Sequence, residues 1–490
     1  MESPPQVAAI LLPLTAAPKG ARVTGIDLAP ATLQPVTGAD RDDARVWDED
    51  LEVAAPVYGV DDVPPPLETL LYAWQHTLVD VSPYVLPMVV AGAVGYGAAQ
   101  TAAMISACLV LMGLATFANA TWGNRLPSVL GPSATDTGAM ATAGAIFGGP
   151  AMWMAGFLGG LLEIAIGISG VLARLRRFLP PYVCGIIVVT IGATLARVAG
   201  GWLFADPRPR MLALAGAAVV AVLALTVAGH LLGVGLIARG AILWSLLLCG
   251  VLGAVLLGLA DFAAVGRAPW LGLPRPFAFG APAWGWELVP AAVVGVAIGY
   301  LGSIAESIGD YAGTCAVAGI PYRVRHMNRG ITVEGIASAV GPLFGALPLT
   351  TYAQNIGVIA TTRVASRRVV QVAALLLLLY GLSPKLGALL VLIPRPVVGA
   401  VFLVICGMIA ATGLRLLACG EKDETFYLTT AVSLAGALTL PLVAPAQKEW
   451  FATLPPLVRL MLSNGVVLAI TLGVTLNGTL GTLLRRRASP

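Results

Sequence analysis

Apolar runs long enough to cross a bilayer follow one another along most of this chain, and they constrain its fold more than any other feature. A helix needs about 20 predominantly apolar residues to span the hydrocarbon core. Such runs lie near 68–91, 98–119, 149–173, 181–199, 211–230, 236–259, 287–312, 329–347, 367–383, 386–411, 424–444 and 457–482. Two shorter, interrupted segments, near 126–145 and 348–364, join them. Charged residues make up 11% of the 490 and hydrophobic residues 58%, whereas a soluble domain carries about 25% charged residues. That much apolar side chain needs lipid as part of its solvent. In lipid every backbone N–H and C=O must be paired internally. The expected fold is therefore an all-α membrane protein of about fourteen transmembrane segments.

Loop charge agrees with an even number of spans. With the N-terminus inside, twenty Lys and Arg residues fall on the cytoplasmic side and nine outside, as the positive-inside rule requires. Both termini are then cytoplasmic. Residues 1–66 differ from the rest: they are rich in Pro, Ala and Asp, with acidic clusters at Asp40–Asp43 and Asp48–Asp50. No cationic start, apolar core and cleavage site follow one another there, so no secretory signal is read. The expectation is a disordered cytoplasmic tail over 1–66 and a transmembrane body over 67–485. The six cysteines are scattered without metal-ligand spacing, and His76, His230 and His326 are far apart. No metal or other cofactor is indicated, and the arginines form no stripe that would suit nucleic acid.

Two segments are too polar and too interrupted for ordinary spanning helices. In Leu347–Arg363, Pro348 lacks a backbone donor, Thr350, Thr351 and Tyr352 favour extended backbone, and Gln354-Asn355 opens a short helical run containing Gly357. The segment Leu126–Gly138 likewise opens with Leu-Pro, runs through small polar residues and reaches a glycine. These are the third and tenth of fourteen spans. Broken strand–helix segments at matching places in two halves point to two inverted seven-span repeats sharing a site near the midplane. Unpaired N–H groups at the two helix starts suit carbonyl oxygens or an anionic ring.

Acidic residues stand close by. Glu306 and Asp310 are four apart and share one helix face. Each carboxylate at the bilayer centre costs roughly 2.5–3.5 kcal/mol, and two on one face repel, which favours a shared proton. Such a pair suits a proton-coupled binding site. His76 lies in the first span with Asp80 one turn later, a pair expected to orient the site. Asp136 sits just after the first broken segment and Glu163 mid-run in a Gly-rich helix, where they could serve structure or ion coupling, and Glu334 is expected near the membrane interface at the start of a span. No nucleophile–base pair is found, so an enzyme is not expected.

Together these residues resemble the nucleobase–ascorbate transporter family. Its signature is Gln, Glu or Pro, then Asn-x-Gly, four variable residues, Thr and a basic residue, matched in full by Gln354–Arg363. Thr350-Thr351-Tyr352, Ala305–Asp310, His326–Gly330, Gln75-His76 and the Leu-Pro run ending at Ser133 are similar to family members too. The resemblance covers about residues 60–485. It implies a core domain (spans 1–4 and 8–11, about 67–175 and 287–385), a gate domain (spans 5–7 and 12–14, about 179–260 and 386–483), a homodimer in the plasma (inner) membrane, and an elevator-like movement of the core.

The resemblance also implies a substrate site. Glu306 would accept from ring N–H groups of a base, with Asp310 its partner one turn on. Gln354 would contact the base, and backbone around Ala353 and Ser133-Ala134 would complete the site beside Tyr352 and Asn355. His76, Asp80 and Asp136 would support the site or couple it to protons. Gln at the first signature position implies a purine of the xanthine or urate type, imported with protons. A uracil permease, or a sodium-coupled or passive facilitator on the same architecture, is the alternative. Two positions depart from the family pattern: Ala134 stands where many relatives place an aromatic ring, and Asp80 where small or apolar residues are common.

Overall fold

The computed structural model describes residues 56–488 apart from 81, 173–178, 235–236, 239, 257, 259–261, 284 and 419–421. Most of the expected tail, 1–55, lies outside the described residues. Its last part does not behave as a tail. Val57 N donates to Arg363 O at 2.7 Å, Ala365 N to Tyr58 O at 2.8 Å and Arg367 N to Val60 O at 3.0 Å. Asp61 pairs with Arg367 at 2.6 Å. The stretch is polar and Pro-rich in sequence, but it completes the backbone pairing of the segment that follows the signature.

The first apolar run forms α1 (Pro66–Leu78) and α2 (Ser82–Val94), interrupted at Val79-Asp80. Then come α3 (Ala98–Thr121), β1 (Leu130–Pro132), α4 (Ala134–Phe147), α5 (Gly149–Ser169), α6 (Pro181–Leu203) and α7 (Pro209–Leu231). A helix α8 begins at Ala241–Ser245 and passes through a wider π-helical stretch, Leu246–Leu252, into Gly253–Leu256. The second half holds α9 (Pro290–Val317), α10 (Val324–Phe344), β2 (Leu349–Thr351), α11 (Ala353–Thr362) and α12 (Arg367–Gly381). It ends with α13 (Pro384–Val391), α14 (Arg395–Ala418), α15 (Glu424–Val443), α16 (Pro456–Ser463) and α17 (Gly465–Ala488). Proline opens several of these helices, at the position where a missing N–H is harmless. Gly148 at φ 90° separates α4 from α5, and Gly345 at φ 75° ends α10.

Among the described residues eight helices are long and apolar enough to cross a membrane, or up to ten if each bent pair counts as one span. The expected run 386–411 is not one helix. The chain bends by 73° between α12 and α13, and Pro394, which has no N–H to continue a helix, stands between α13 and α14. The last run also bends, by 98° between α16 and α17.

Two groups of helices pack within themselves. α5 lies against α10 and α9, and α12 against α3 and α1; α14 lies against α6 and α7, and α15 against α17. Small residues let the paired backbones touch, as is common between helices in lipid. A Cβ at Gly167 of α5 would stand 2.8 Å from Thr332 N of α10, and one at Gly192 of α6 would stand 2.8 Å from Ala410 N of α14.

Candidate functional site

The site is built on the two broken segments, which pair with each other. β1 and β2 pair antiparallel, Leu130 with Thr351, Gly131 with Thr350 and Pro132 with Leu349. Ser133 N donates to Pro348 O at 2.8 Å and lengthens the ladder. A two-stranded sheet leaves outer edges that lipid cannot satisfy. Here Leu130 N donates to Thr116 Oγ1 of α3 at 3.0 Å, and Leu349 N to Ser338 Oγ of α10 at 3.1 Å. These hydroxyls explain polar residues on otherwise apolar helices. Each strand runs into a helix: Ser133 caps α4 by accepting from Asp136 N at 3.1 Å, and α11 starts directly after Tyr352.

A cleft opens beside this pair. Its polar lining is Glu306, Thr350, Tyr352 and Gln354, with Asp80 and Ser82 from the α1–α2 break, beside the apolar Val79, Val85, Leu86, Pro132 and Ala134. Ile191 and Leu195 of α6, Ile242 of α8, and Phe402, Ile405, Met408 and Ile409 of α14 complete it as an apolar stretch. Thr135 Oγ1 donates to Glu306 Oε2 at 3.4 Å. Tyr352 donates its hydroxyl to Pro132 O at 2.9 Å and also bonds Ser82 Oγ. Gly131 lies under these groups: a Cβ there would stand 2.7 Å from Asp80 Oδ2 and 2.9 Å from the Tyr352 hydroxyl. A flat molecule with apolar faces and a rim of N–H and C=O groups suits such a lining.

Of the residues expected to bind, Glu306, Gln354, Ala134 and Tyr352 line the cleft. Ser133, Ala353, Asp310 and Asn355 do not. Ser133 is fully buried as a helix cap, and Ala353 opens α11. Asp310 accepts from Thr351 Oγ1 at 3.2 Å and so braces β2. Asn355 turns away from the cleft, its Oδ1 2.7 Å from His76 Nδ1 in a buried contact. That bond ties α1 to the start of α11. The sequence pairs His76 with Asp80; in the structure His76 bonds Asn355, and Asp80 Oδ1 accepts from Ser82 N at 2.9 Å. Asp136 is fully buried under the start of α4.

Glu334 is not near the interface. α10 starts at Val324, so Glu334 sits ten residues inside it and is fully buried. It accepts from Ser307 Oγ at 2.6 Å and from the Tyr311 hydroxyl, and Ser307 Oγ lies 2.8 Å from Thr350 Oγ1. Glu334 therefore joins α9, α10 and β2. Glu163 of α5 is fully buried as well. Thr350, Ser82 and the apolar side chains of α6 and α14 are not among the binding residues the sequence singles out, because hydropathy does not say which spans face the broken segments.

The family model described as "Permease family" (Xan_ur_permease) matches residues 67–445. The uric acid permease PucK of Bacillus subtilis is 30% identical over 422 residues, covering 84% of this chain and 95% of its own. The nucleobase transporter PlUacP of Paenibacillus larvae is 29% identical, covering 84% and 94%. The xanthine permease XanQ of Escherichia coli K12 is 28% identical, covering 86% and 94%. Among solved structures, the transmembrane domain of the cyanobacterial bicarbonate transporter BicA shares the fold, with TM-score 0.55, 14% identity, and coverage of 86% of this chain and 99% of that one. The murine anion transporter Slc26a9 in its inward-facing state does so at TM-score 0.56 and 12% identity, over 92% and 77%. With its full signature and a permease model matched along most of its length, the chain belongs to the nucleobase–ascorbate transporter family and is a multi-pass membrane permease, not an enzyme.

Proposed function

We propose that this protein imports a purine base of the xanthine or urate type across the plasma membrane together with protons. The observation that carries this reading is the cleft itself, lined by Glu306 and Gln354 together with apolar side chains of α6 and α14. Glu306 accepts from ring N–H groups. Gln354 offers a donor and an acceptor on one amide, and so reads an edge that carries both kinds of group. The apolar stretch covers a ring face. Curated relatives named for uric acid and xanthine support the same substrate class.

The chain has fourteen segments in two inverted repeats, with both termini cytoplasmic, and works as a homodimer. The group α1–α5 with α9–α12 is the core, which carries the base past a gate made of α6–α8 and α14–α17. The test is uptake of radiolabelled xanthine, urate, guanine and uracil by cells expressing the chain. Accumulation of xanthine or urate above that of uracil is the expected result. Accumulation of uracil alone would replace the purine assignment, and no accumulation of any base would end the nucleobase reading.

A further inference from the structure

Three acidic side chains lie in the core away from the lining of the cleft: Asp136 of α4, Glu163 of α5 and Glu334 of α10. All three are fully buried. α5 and α10 meet here at backbone range, since a Cβ at Gly335, beside Glu334, would stand 2.9 Å from Glu163 C. The charged group that acts most on Glu163 is Glu334, followed by Asp136. Glu306 of α9 acts on both Asp136 and Glu334, and Tyr300 of α9 faces Asp136 and Glu163. No Lys, Arg or His stands among these groups. Tyr300 gives its proton to Gly156 O at 2.9 Å. The donors that face the acids are hydroxyls, Ser338 for Glu163 and Ser133 and Ser303 for Asp136. Ser338 Oγ is engaged with Leu349 N at 3.1 Å and Ser133 Oγ with Asp136 N at 3.1 Å, and no oxygen of Glu163 or Asp136 makes a hydrogen bond of ordinary geometry. Carboxylates gathered in a low-dielectric interior without a cation cannot all be ionised. Among the described residues no group of three acidic, His or Cys side chains converges as a metal site would, so a proton is the cation that fits.

We infer that Glu163 and Glu334 hold one proton between them, at a site separate from the base, and that this proton is the one the carrier moves with its cargo. The inference rests on the proton-coupled reading and says where the proton sits. A route leads to the pair from the cleft. Thr350 lines the cleft, its Oγ1 lies 2.8 Å from Ser307 Oγ, and Ser307 donates to Glu334 Oε2 at 2.6 Å. Each hydroxyl can pass its own proton on and take another, so one proton entering at Thr350 delivers one to Glu334. Glu306 then serves the base, and Glu163 binds a proton without touching the base.

The test uses membrane vesicles holding the full-length chain, radiolabelled xanthine and an imposed proton gradient. Glu163→Gln keeps the shape of the side chain and fixes it in a neutral state. This variant is expected to bind and exchange xanthine as wild type does, while its net accumulation falls to that of uncoupler-treated wild type and no longer responds to external pH. Glu163→Asp keeps the acid and is expected to accumulate xanthine with a displaced pH profile. Infrared spectra of the purified protein need no base: wild type should show a carboxylic-acid C=O band at neutral pH that Glu163→Gln alters. A Gln variant that accumulates xanthine with the wild-type pH profile overturns the inference, because the residue is then neutral throughout the cycle. So does one that folds but loses binding, exchange and accumulation together, which marks a structural role. Where the Gln variant does not fold, an Asp variant with an undisplaced pH profile overturns the inference, as does a wild type with no carboxylic-acid band. A wild type that accumulates xanthine and ignores the uncoupler overturns it too, and leaves the nucleobase reading standing. A wild type that accumulates none of xanthine, urate, guanine and uracil defeats the nucleobase reading; identical infrared bands in wild type and Glu163→Gln would then remove the proton site as well, and an altered band would keep it.

Discussion

In the proposed site Glu306 and Gln354 divide the labour of recognition at the level of single groups. Glu306→Gln keeps size but turns one acceptor into a donor and removes an ionisable proton. Active uptake should fall by at least about tenfold while the protein still inserts and purifies normally; near-normal accumulation would make this acid a structural one. Gln354→Glu loses a donor, so a purine that presents an acceptor there is left unpaired. Its affinity should drop by about one to two decades, with uracil gaining relative to xanthine in competition binding. An unchanged ratio of the two affinities would show that this side chain does not read the base. Asn355 acts through His76, to which it is bonded at 2.7 Å. His76→Ala should therefore lower affinity for every base alike and leave the ranking of substrates intact, which the same competition assay reads directly.

At the scale of elements, the two broken segments were legible because their sequences contradict their surroundings. Pro348 and Pro132 deny donors, threonines favour extended backbone, and each stretch ends in a short helix. The extended stretches and the helix starts after them follow from that pattern, whereas the antiparallel pairing of the two strands and the cap by Ser133 are visible only in the structure. The role of Glu334 was not legible, because hydropathy starts α10 late: polar residues between Val324 and Arg329 already form its first turn. Nor could the break at Asp80 be read, since one apolar run covers both α1 and α2. The strand pair also yields a prediction. Gly131→Ala would push a methyl group against Asp80 and Tyr352 at once. Binding of all bases should fall by about tenfold or more, with thermal stability lowered, and a variant that binds xanthine normally would mean this floor is soft.

At the scale of the whole molecule, coupling is the property to test. Inward proton co-transport gives uptake that rises as external pH falls and collapses with an uncoupler, and replacing sodium by choline should change little. A sodium requirement with indifference to the uncoupler would shift the role to a cation site. How the parts move is constrained by the glycine contacts at Gly167 and Gly192, which bring α5 to α10 and α6 to α14 at backbone range. Helices meshed that closely resist shear, because one backbone must climb over another before either can advance. Long aliphatic and thioether side chains offer no such obstacle; they yield by rotamer hops. If the core moves past the gate as proposed, friction is lowest along the greasy seam of Ile191, Leu195, Ile405 and Met408, and substitutions there should change the pace of a transport cycle more than the grip on its cargo.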